Sequence, residues 1–528
     1  MQRSPVSSFS KKNRKKSNSN PPSAQNSASG NGSSEYSIEL TSDLQENLTI
    51  LKRAIGHSPD VVIREIVIGS MKLPGAIVFV DNLVDKQTIQ AEILRSLVLE
   101  SPEIQNNQIP PLKQLTVYLQ RNTITAGEAR TGKTLDELSL FVLSGDTVVL
   151  VDGSSEFLII GTRKIPSRNV EAPLTEISVR GPFDSFIEVL RINMALIRRR
   201  VRDPNLAFEP FYVGRRGKSE LVIAYIKGIA NEELVTEVKQ RLSAIDIDEA
   251  PDSGFIEQLI EDNFLSPFPQ AQVTERPDKV ASAILQGRVA IMLDGSPFAL
   301  LVPVTFAQLL QAPEDYYDRW IIGSLIRLLR YSTAFISVFL PALYIALVSF
   351  HPGLIPSKLA LSIAASREGV PFPAAIEAFL LEATLEILRE AGLRLPKPIG
   401  PTVGIVGGLV IGEAAVAAGI VSPIMVIIVA LGAISSFSIP SYSVAITFRI
   451  LRFGFMISAA MLGLYGIIIA YIFLNVHIVR LQSFGTVYSA PFAPYKFTDW
   501  KDLVLRFPLA LFKKRPASID VEDEERMA

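Results

Sequence analysis

An α+β soluble N-terminal region built of two similar repeated subdomains, followed by an α-helical transmembrane bundle, is the fold class this sequence predicts. Three observations predict it. The first three hundred of 528 residues mix charged and apolar positions, whereas the last third carries long uncharged runs. The mean hydropathy of +0.30 is high for a chain with 20% charged residues, so its apolar positions must be segregated. The soluble part also contains an internal duplication.

In that duplication Gly145-Asp-Thr-Val-Val-Leu-Val-Asp152-Gly153-Ser154 matches Gly287-Arg-Val-Ala-Ile-Met-Leu-Asp294-Gly295-Ser296. Each is an alternating strand running into an Asp-Gly turn, with a second apolar run behind it, a hairpin signature used twice. The preceding helical stretches correspond, 135–143 to 277–285. Upstream, Ile66-Val-Ile-Gly69 and Ala76-Ile-Val-Phe-Val80 pair with Phe211-Tyr-Val-Gly214 and Leu221-Val-Ile-Ala-Tyr225, and an amphipathic helix follows each, 88–98 and 233–242. The copies span about 61–165 and 206–305, within α+β cytosolic subdomains at 41–170 and 171–318. A helix from about Asp184 ends in Ile197-Arg198-Arg199-Arg200, read as a solvated end complementing the helix dipole.

Residues 1–40 read as a disordered basic arm. Lys11, Lys12, Arg14, Lys15 and Lys16 are followed by Ser, Asn and Pro rather than an apolar core, so this is no signal peptide. The arm is either a solubilising tail or a weak contact for anionic lipid headgroups.

The transmembrane domain is placed at 319–480. Residues 320–330 read as an interfacial helix with Arg319, Arg327 and Arg330 on its polar side. The 20 residues 331–350 are uncharged and make about 30 Å of helix, enough to span. Further spans are read at 399–421, 423–442 and 453–474. Basic residues flank the first span and follow the last, which puts both termini and the 481–528 tail in the cytoplasm; four crossings fit. Arg449 and Arg452 then fall on the outside, against that rule. Segment 359–394 is too charged for lipid and too apolar for a loop. It reads as a re-entrant or protein-buried amphipathic helix started by Val370-Pro371-Phe372-Pro373.

Composition excludes several chemistries. Without cysteine there is no disulfide framework, Cys–metal site or Cys nucleophile, and His57, His351 and His477 lie too far apart in sequence to suggest a metal site or triad. Nothing points to nucleic acid.

Three constellations remain. Gly127-Glu-Ala-Arg-Thr-Gly132-Lys133-Thr134 matches the phosphate-binding loop pattern, with Lys133 for phosphate oxygens and Thr134 for magnesium. The preceding run is a poor buried strand, the second repeat lacks the glycines, and Thr134 with Glu137 also makes a capping box. In the second span Gly404, Gly408 and Gly412 recur every four residues and allow close helix packing, within or between chains. Beside them run Ile405, Leu409 and Glu413, a row that suits a pore: Leu409 to gate by dewetting, Glu413 to favour cations. Glu413 has a second reading, a buried pair with Arg449 or Arg452. Third, Arg367, Glu377, Glu382, Glu386 and Arg389 form either a proton or ion relay or an ion-paired face buried in protein.

Several long motifs resemble the A subunit of bacterial spore germination receptors, the GerA family. They are Ser266-Pro-Phe-Pro-Gln270, Thr274-Glu-Arg-Pro-Asp-Lys279, Asp294-Gly-Ser-Pro-Phe298, Pro313-Glu-Asp-Tyr-Tyr317, Ser362-Ile-Ala-Ala-Ser-Arg367-Glu-Gly-Val-Pro-Phe-Pro373, Leu388-Arg-Glu-Ala-Gly-Leu-Arg-Leu-Pro396, Val406-Gly-Gly-Leu-Val-Ile-Gly412 and Ser483-Phe-Gly485. The resemblance covers about residues 40–516. It implies a non-enzymatic subunit, without metal or cofactor, of a nutrient receptor in the inner membrane of a dormant spore. Its implied partners are an amino-acid-transporter-like B subunit that binds the germinant, a C lipoprotein and further copies of the A subunit. Together the A copies would make a germinant-gated cation channel, lined by the helix resembling Val406 to Gly412. Some relatives carry Gln where Glu413 stands, which weakens a selectivity role for that carboxylate. A transporter subunit using segment 359–394, and a nucleotide-dependent membrane protein using Lys133, are the competing readings.

Overall fold

The structure, a computed structural model, describes residues 39–56, 58–69, 72–99, 115–122, 129–164, 173, 175–176, 178–394 and 412–527. Two five-stranded antiparallel sheets organise the N-terminal half. The first places β1 (Val61–Ile68), β2 (Leu73–Val80), β4 (Thr147–Val151), β5 (Phe157–Ile160) and β3 (Ala129–Gly132) side by side in that order. The second runs β6 (Leu206–Val213), β7 (Ser219–Ile226), β9 (Val289–Leu293), β10 (Ala299–Val302) and β8 (Gln272–Thr274), the same order. Helices cover both faces of each sheet. In the first, Ala76, Val78, Val148 and Leu150 face helices Leu44–Ala54 and Leu135–Leu143, while Ile77, Val149 and Val151 face Ile89, Ile93, Leu97 and Leu119. Burial on both faces makes these strands continuous apolar runs rather than alternating ones.

The Asp-Gly turns do the same work in both sheets. Asp152 Oδ1 accepts the Leu44 N–H at 3.2 Å, and Asp294 Oδ1 accepts the Leu190 N–H at 3.0 Å. Each aspartate thus caps the helix that enters its sheet, satisfying an end N–H that helix geometry leaves free. The next residue has φ of +84° at Gly153 and +88° at Gly295, backbone that glycine adopts at least cost.

The Asp294 cap also corrects a boundary. The helix expected from Asp184 starts at Leu190, where the carboxylate receives it. Nor is its arginine end solvated. Arg198 is buried and forks onto Asp60 of the first unit (3.1 and 3.2 Å) and onto the carbonyls of Asp203 and Leu206 of the second (3.2 and 3.1 Å). Arg199 and Arg200 pair with Asp184. Asp60, supplied from distant sequence, turns the head of a charge run into a bolt between the units.

The C-terminal half is helical and departs from four regular spans. The expected interfacial helix and first span are one helix, Trp320–Ser349, 30 residues long. Its Arg327 and Arg330 are buried, not on a polar face, because Asp315 and Asp502 receive them; the exposed side carries Ile321, Leu325, Leu328 and Leu329. Segment 359–394 is two helices, Ser357–Arg367 and Ala374–Arg394, broken where Pro371 and Pro373 stand. The second expected span, 399–421, lies mostly outside the described residues; a helical piece runs over 412–417. The third is not one element. Helix Pro423–Ser436 has 14 residues, about 21 Å and short of a bilayer, and the chain breaks before Pro440 and restarts at Tyr442. The fourth lies inside the last helix, Tyr442–Arg480, 39 residues long, interrupted at Gly463. Among the described residues two helices, Trp320–Ser349 and Tyr442–Arg480, are long and apolar enough to cross a membrane.

The tail does not hang free. Val521 bridges to Ala230 of the second sheet unit, and the Glu522 N–H donates to the Ile229 carbonyl at 3.1 Å.

Removing the cap should be measurable. Asp294→Ala is expected to lower stability by about 1 kcal/mol, and Asp294→Asn, which keeps an acceptor, by less. Denaturant unfolding of the two variants checks this.

Candidate functional site: buried ion pairs among the apolar helices

The charged residues of segment 359–394 meet partners that come from elsewhere in the chain. Arg452, from the last helix, is fully buried, and its Nη1 donates to both oxygens of Glu382 at 2.7 and 2.9 Å. Its remaining donors reach the Ser337 carbonyl of the Trp320–Ser349 helix at 2.6 Å and the Gly432 carbonyl of the short helix at 3.3 Å. Glu386 takes Arg449 at 2.5 Å and Arg389 at 3.0 Å, and the Arg389 guanidinium lies 5.4 Å from the Phe437 ring. Glu377, wholly buried, accepts from Arg367 at 3.0 Å and from the Ser422 N–H, which opens the short helix, at 2.8 Å.

Of the predicted charged set, then, Arg367–Glu377 form one pair, Glu386–Arg389 share a cluster with Arg449, and Glu382 belongs to Arg452. The reading that paired Glu413 with Arg449 or Arg452 is corrected: closer carboxylates occupy both arginines, and Glu413 is exposed. Gly412 is half-buried, against Val426. Gly404, Ile405, Gly408 and Leu409 lie outside the described residues.

Two further clusters join this region to the soluble half, and sequence reading missed both. At the base of the first helix Asp315 takes Arg330 bidentately (2.8 and 3.0 Å) and Arg327 at 3.1 Å. Arg327 also holds Asp502 at 2.8 Å, and the Tyr316 hydroxyl donates to that carboxylate at 2.6 Å. Burial first, and the Asp502 charge second, hold the Tyr316 phenol far above its ordinary range, so it stays a donor. The second cluster is the Ser266-Pro-Phe-Pro-Gln270 loop. Ser266 Oγ meets His477 Nε2 of the last helix at 2.9 Å, Thr447 donates to the Pro267 carbonyl, and the Tyr488 hydroxyl and Ser483 Oγ donate to the Pro269 and Gln270 carbonyls at 2.9 and 2.7 Å. Phe268 fills the centre, against Phe306, His477 and Tyr488. The sequence signal was there: a proline-spaced loop with an isolated aromatic, whose free carbonyls must find donors.

The motif Thr274-Glu-Arg-Pro-Asp-Lys279 clasps the linker between the sheets. Arg276, buried, donates to the Glu176 and Pro182 carbonyls and to Ser178, and Lys279 pairs with Glu176 at 2.5 Å. Burial would raise the Asp278 carboxyl, but Arg276 and Tyr317, bonded to it, leave it below its usual range.

The phosphate-loop pattern finds other employment. Residues Ala129–Gly132 are the edge strand β3, Thr134 caps helix Leu135–Leu143, and Lys133 pairs with Glu156 at 2.9 Å.

The burial pattern is inverted relative to a soluble protein: arginines and glutamates lie inside while Ile457, Met461, Leu462, Ile468 and Phe473 face out. Only 22% of the most apolar stretch of the last helix is buried, where the core helix of a soluble protein would be mostly covered. Two sheet units bolted to such helices define a membrane-associated protein with a large soluble part. The sequence matches the family described as Bacillus/Clostridium GerA spore germination protein over residues 49–518, and the chain belongs to that family. It is 45% identical to spore germination protein GerLA of Bacillus cereus over 92% of this chain and 97% of that one. It is 43% identical to spore germination protein B1 of Bacillus subtilis (strain 168), over 93% and 100%. A crystal structure of the N-terminal domain of the A subunit of the Bacillus megaterium spore germinant receptor GerK3 is 35% identical, covering 51% of this chain and 98% of that one, with a TM-score of 0.41.

Arg452→Met should cost about 3–5 kcal/mol, because it strands a buried carboxylate. The double variant Arg452→Met/Glu382→Leu should recover much of that loss. Thermal unfolding in detergent, read as a double-mutant cycle, tests it; additive effects would mean the two side chains do not share a buried site.

Proposed function

We propose that this chain is the membrane-spanning A subunit of a nutrient germinant receptor, and that several copies surround a germinant-gated cation channel. The observation that carries the reading is Glu413. It is exposed on a helical piece whose surroundings are apolar, and a carboxylate there belongs against water or another subunit, not lipid. The row Ile405, Leu409 and Glu413 then faces the pore, with Gly404, Gly408 and Gly412 packing one helix close to the next. The partners are a germinant-binding B subunit and a C lipoprotein, in the inner membrane of the spore.

The contact between Val521 and Ala230 supports an even number of crossings, since it holds the C-terminal residues against the soluble N-terminal half on one side of the membrane. The two sheet units, alike in strand order and in their Asp-Gly caps, are read as copies of one ancestral unit. The pairing of Glu382 and Glu386 with arginines favours this reading over a transporter, which would need a carboxylate free to load and unload an ion.

Replacing Leu409 with Ala should open the constriction. Liposomes carrying the receptor with Leu409→Ala are expected to lose potassium without germinant, and tight liposomes would overturn the channel reading. Lys133→Ala should leave the germination response unchanged, in contrast to what a nucleotide-dependent protein would show.

A further inference from the structure

We infer that the C-terminal segment builds a pocket for a phosphate group, occupied by the headgroup of an anionic lipid. The inference takes the membrane setting from the function proposed above. The segment is anchored at two places. Asp502 and Arg506 tie it to the start of the Trp320–Ser349 helix through Arg327 and Ser324. Arg515 Nε ties it to the second sheet unit through the Leu285 carbonyl at 2.9 Å. Between these anchors lies a cavity of about 150 Å³, below the roughly 300–1,000 Å³ of a cofactor site and suited to a small polar group.

Its charges do not cancel. Five cations line it: Lys501, Lys513, Lys514, Arg515 and Arg526. Lys514 is taken by Glu524 at 2.8 Å and Arg515 by Asp523 at 2.7 Å. The two lining carboxylates are also occupied. Asp499 accepts the N–H groups of Ala517 and Ser518 at 2.9 and 2.7 Å, and Asp502 belongs to Arg327 and Tyr316. Among the described residues no carboxylate lies within ion-pair distance of Lys501, Lys513 or Arg526. Three cations lining one small cavity without a carboxylate partner attract a multiply charged oxyanion.

The surroundings say where the anion comes from. Leu511 and Phe512 form an apolar lip on the cavity. Beside it runs an exposed strip with Tyr495, Phe497, Trp500, Leu505 and Phe507, in which the Tyr495 and Trp500 rings lie 5.1 Å apart. Leu505 and Phe507 flank Arg506, whose backbone is bonded to Ser324, so the strip continues into the exposed apolar face of the first helix at Ile321 and Leu325. Exposed aromatic rings alternating with lysines, at the foot of a membrane-crossing helix, suit the headgroup layer of a bilayer, and basic pockets at that level hold phosphate headgroups.

The test is native mass spectrometry of the full chain in mild detergent, with phosphatidylglycerol, phosphatidylcholine or inorganic phosphate added. The wild-type chain should retain phosphatidylglycerol at least tenfold better than phosphatidylcholine. The triple variant Lys501→Gln/Lys513→Gln/Arg526→Gln should lose that preference while keeping its melting temperature, and Lys513→Gln alone should lose part of it. Equal phosphatidylglycerol binding by wild type and either variant would overturn the pocket. Displacement of the lipid by an equal concentration of inorganic phosphate would overturn the lipid source and leave a soluble anion as the ligand. These readouts involve no germinant and no ion flux, so they fail or succeed independently of the channel.

Discussion

One guanidinium holds the helical half together. Arg452 projects from the last helix and bonds to Glu382 on the charged helix, to the Ser337 carbonyl on the first and to the Gly432 carbonyl on the short one. Four helices therefore meet at a single side chain. A buried charge is tolerated only when its partner and its remaining hydrogen bonds are all in place, and the cost of losing one is several kcal/mol. The relative positions of the four helices are thereby fixed far more tightly than apolar contact alone would fix them.

The same constraint repeats toward the soluble half. Asp315, Arg327, Arg330 and Asp502 gather at the base of the first helix, and Arg198 with Asp60 joins the two sheet units. In each case a buried arginine reaches out of its own helix to a carboxylate on another element, 12 to 175 residues away. The soluble sheets and the apolar helices are consequently not loosely tethered modules. The Ser266-Pro-Phe-Pro-Gln270 loop, whose carbonyls accept from Thr447, Ser483 and Tyr488, gives the second sheet unit a fixed seat on the last helix.

Local features were legible in the sequence because local rules govern them. The hairpins, the helix at 135–143 and the capping role of Thr134 follow from turn chemistry and periodicity. The charged segment 359–394 was read as re-entrant or protein-buried because lipid would reject it; Glu377 and Glu382 are buried, whereas helix Ser357–Arg367 buries only Ile363. What could not be read was pairing. The sequence offered Glu413 as a partner for Arg452, and only the fold selects Glu382 instead. In sequence Arg198 looks like a solvated helix end and Arg327 and Arg330 like the polar side of an interfacial helix, since their carboxylates lie 12 to 175 residues away. Span boundaries failed at serine and proline: Ser436 and Ser438 turn their hydroxyls onto carbonyls three residues back, and Pro440 then prevents a continuous helix.

These constraints leave one place for the last helix to yield between its two clamps. The last helix is clamped at Arg452 by three neighbouring helices and at His477 by Ser266 of the soluble half. Between the clamps its backbone leaves helical geometry at one residue, Gly463, with φ of +60° and ψ of −140°, a conformation costly for any other residue. A side chain there would also strike Phe350, at the end of the first helix, 2.9 Å away. The soluble half also reaches this helix before Gly463, through Thr447 and the Pro267 carbonyl. A movement of the His477 end relative to the Arg452 end is therefore absorbed at Gly463 more cheaply than by breaking a buried ion pair, which costs several kcal/mol.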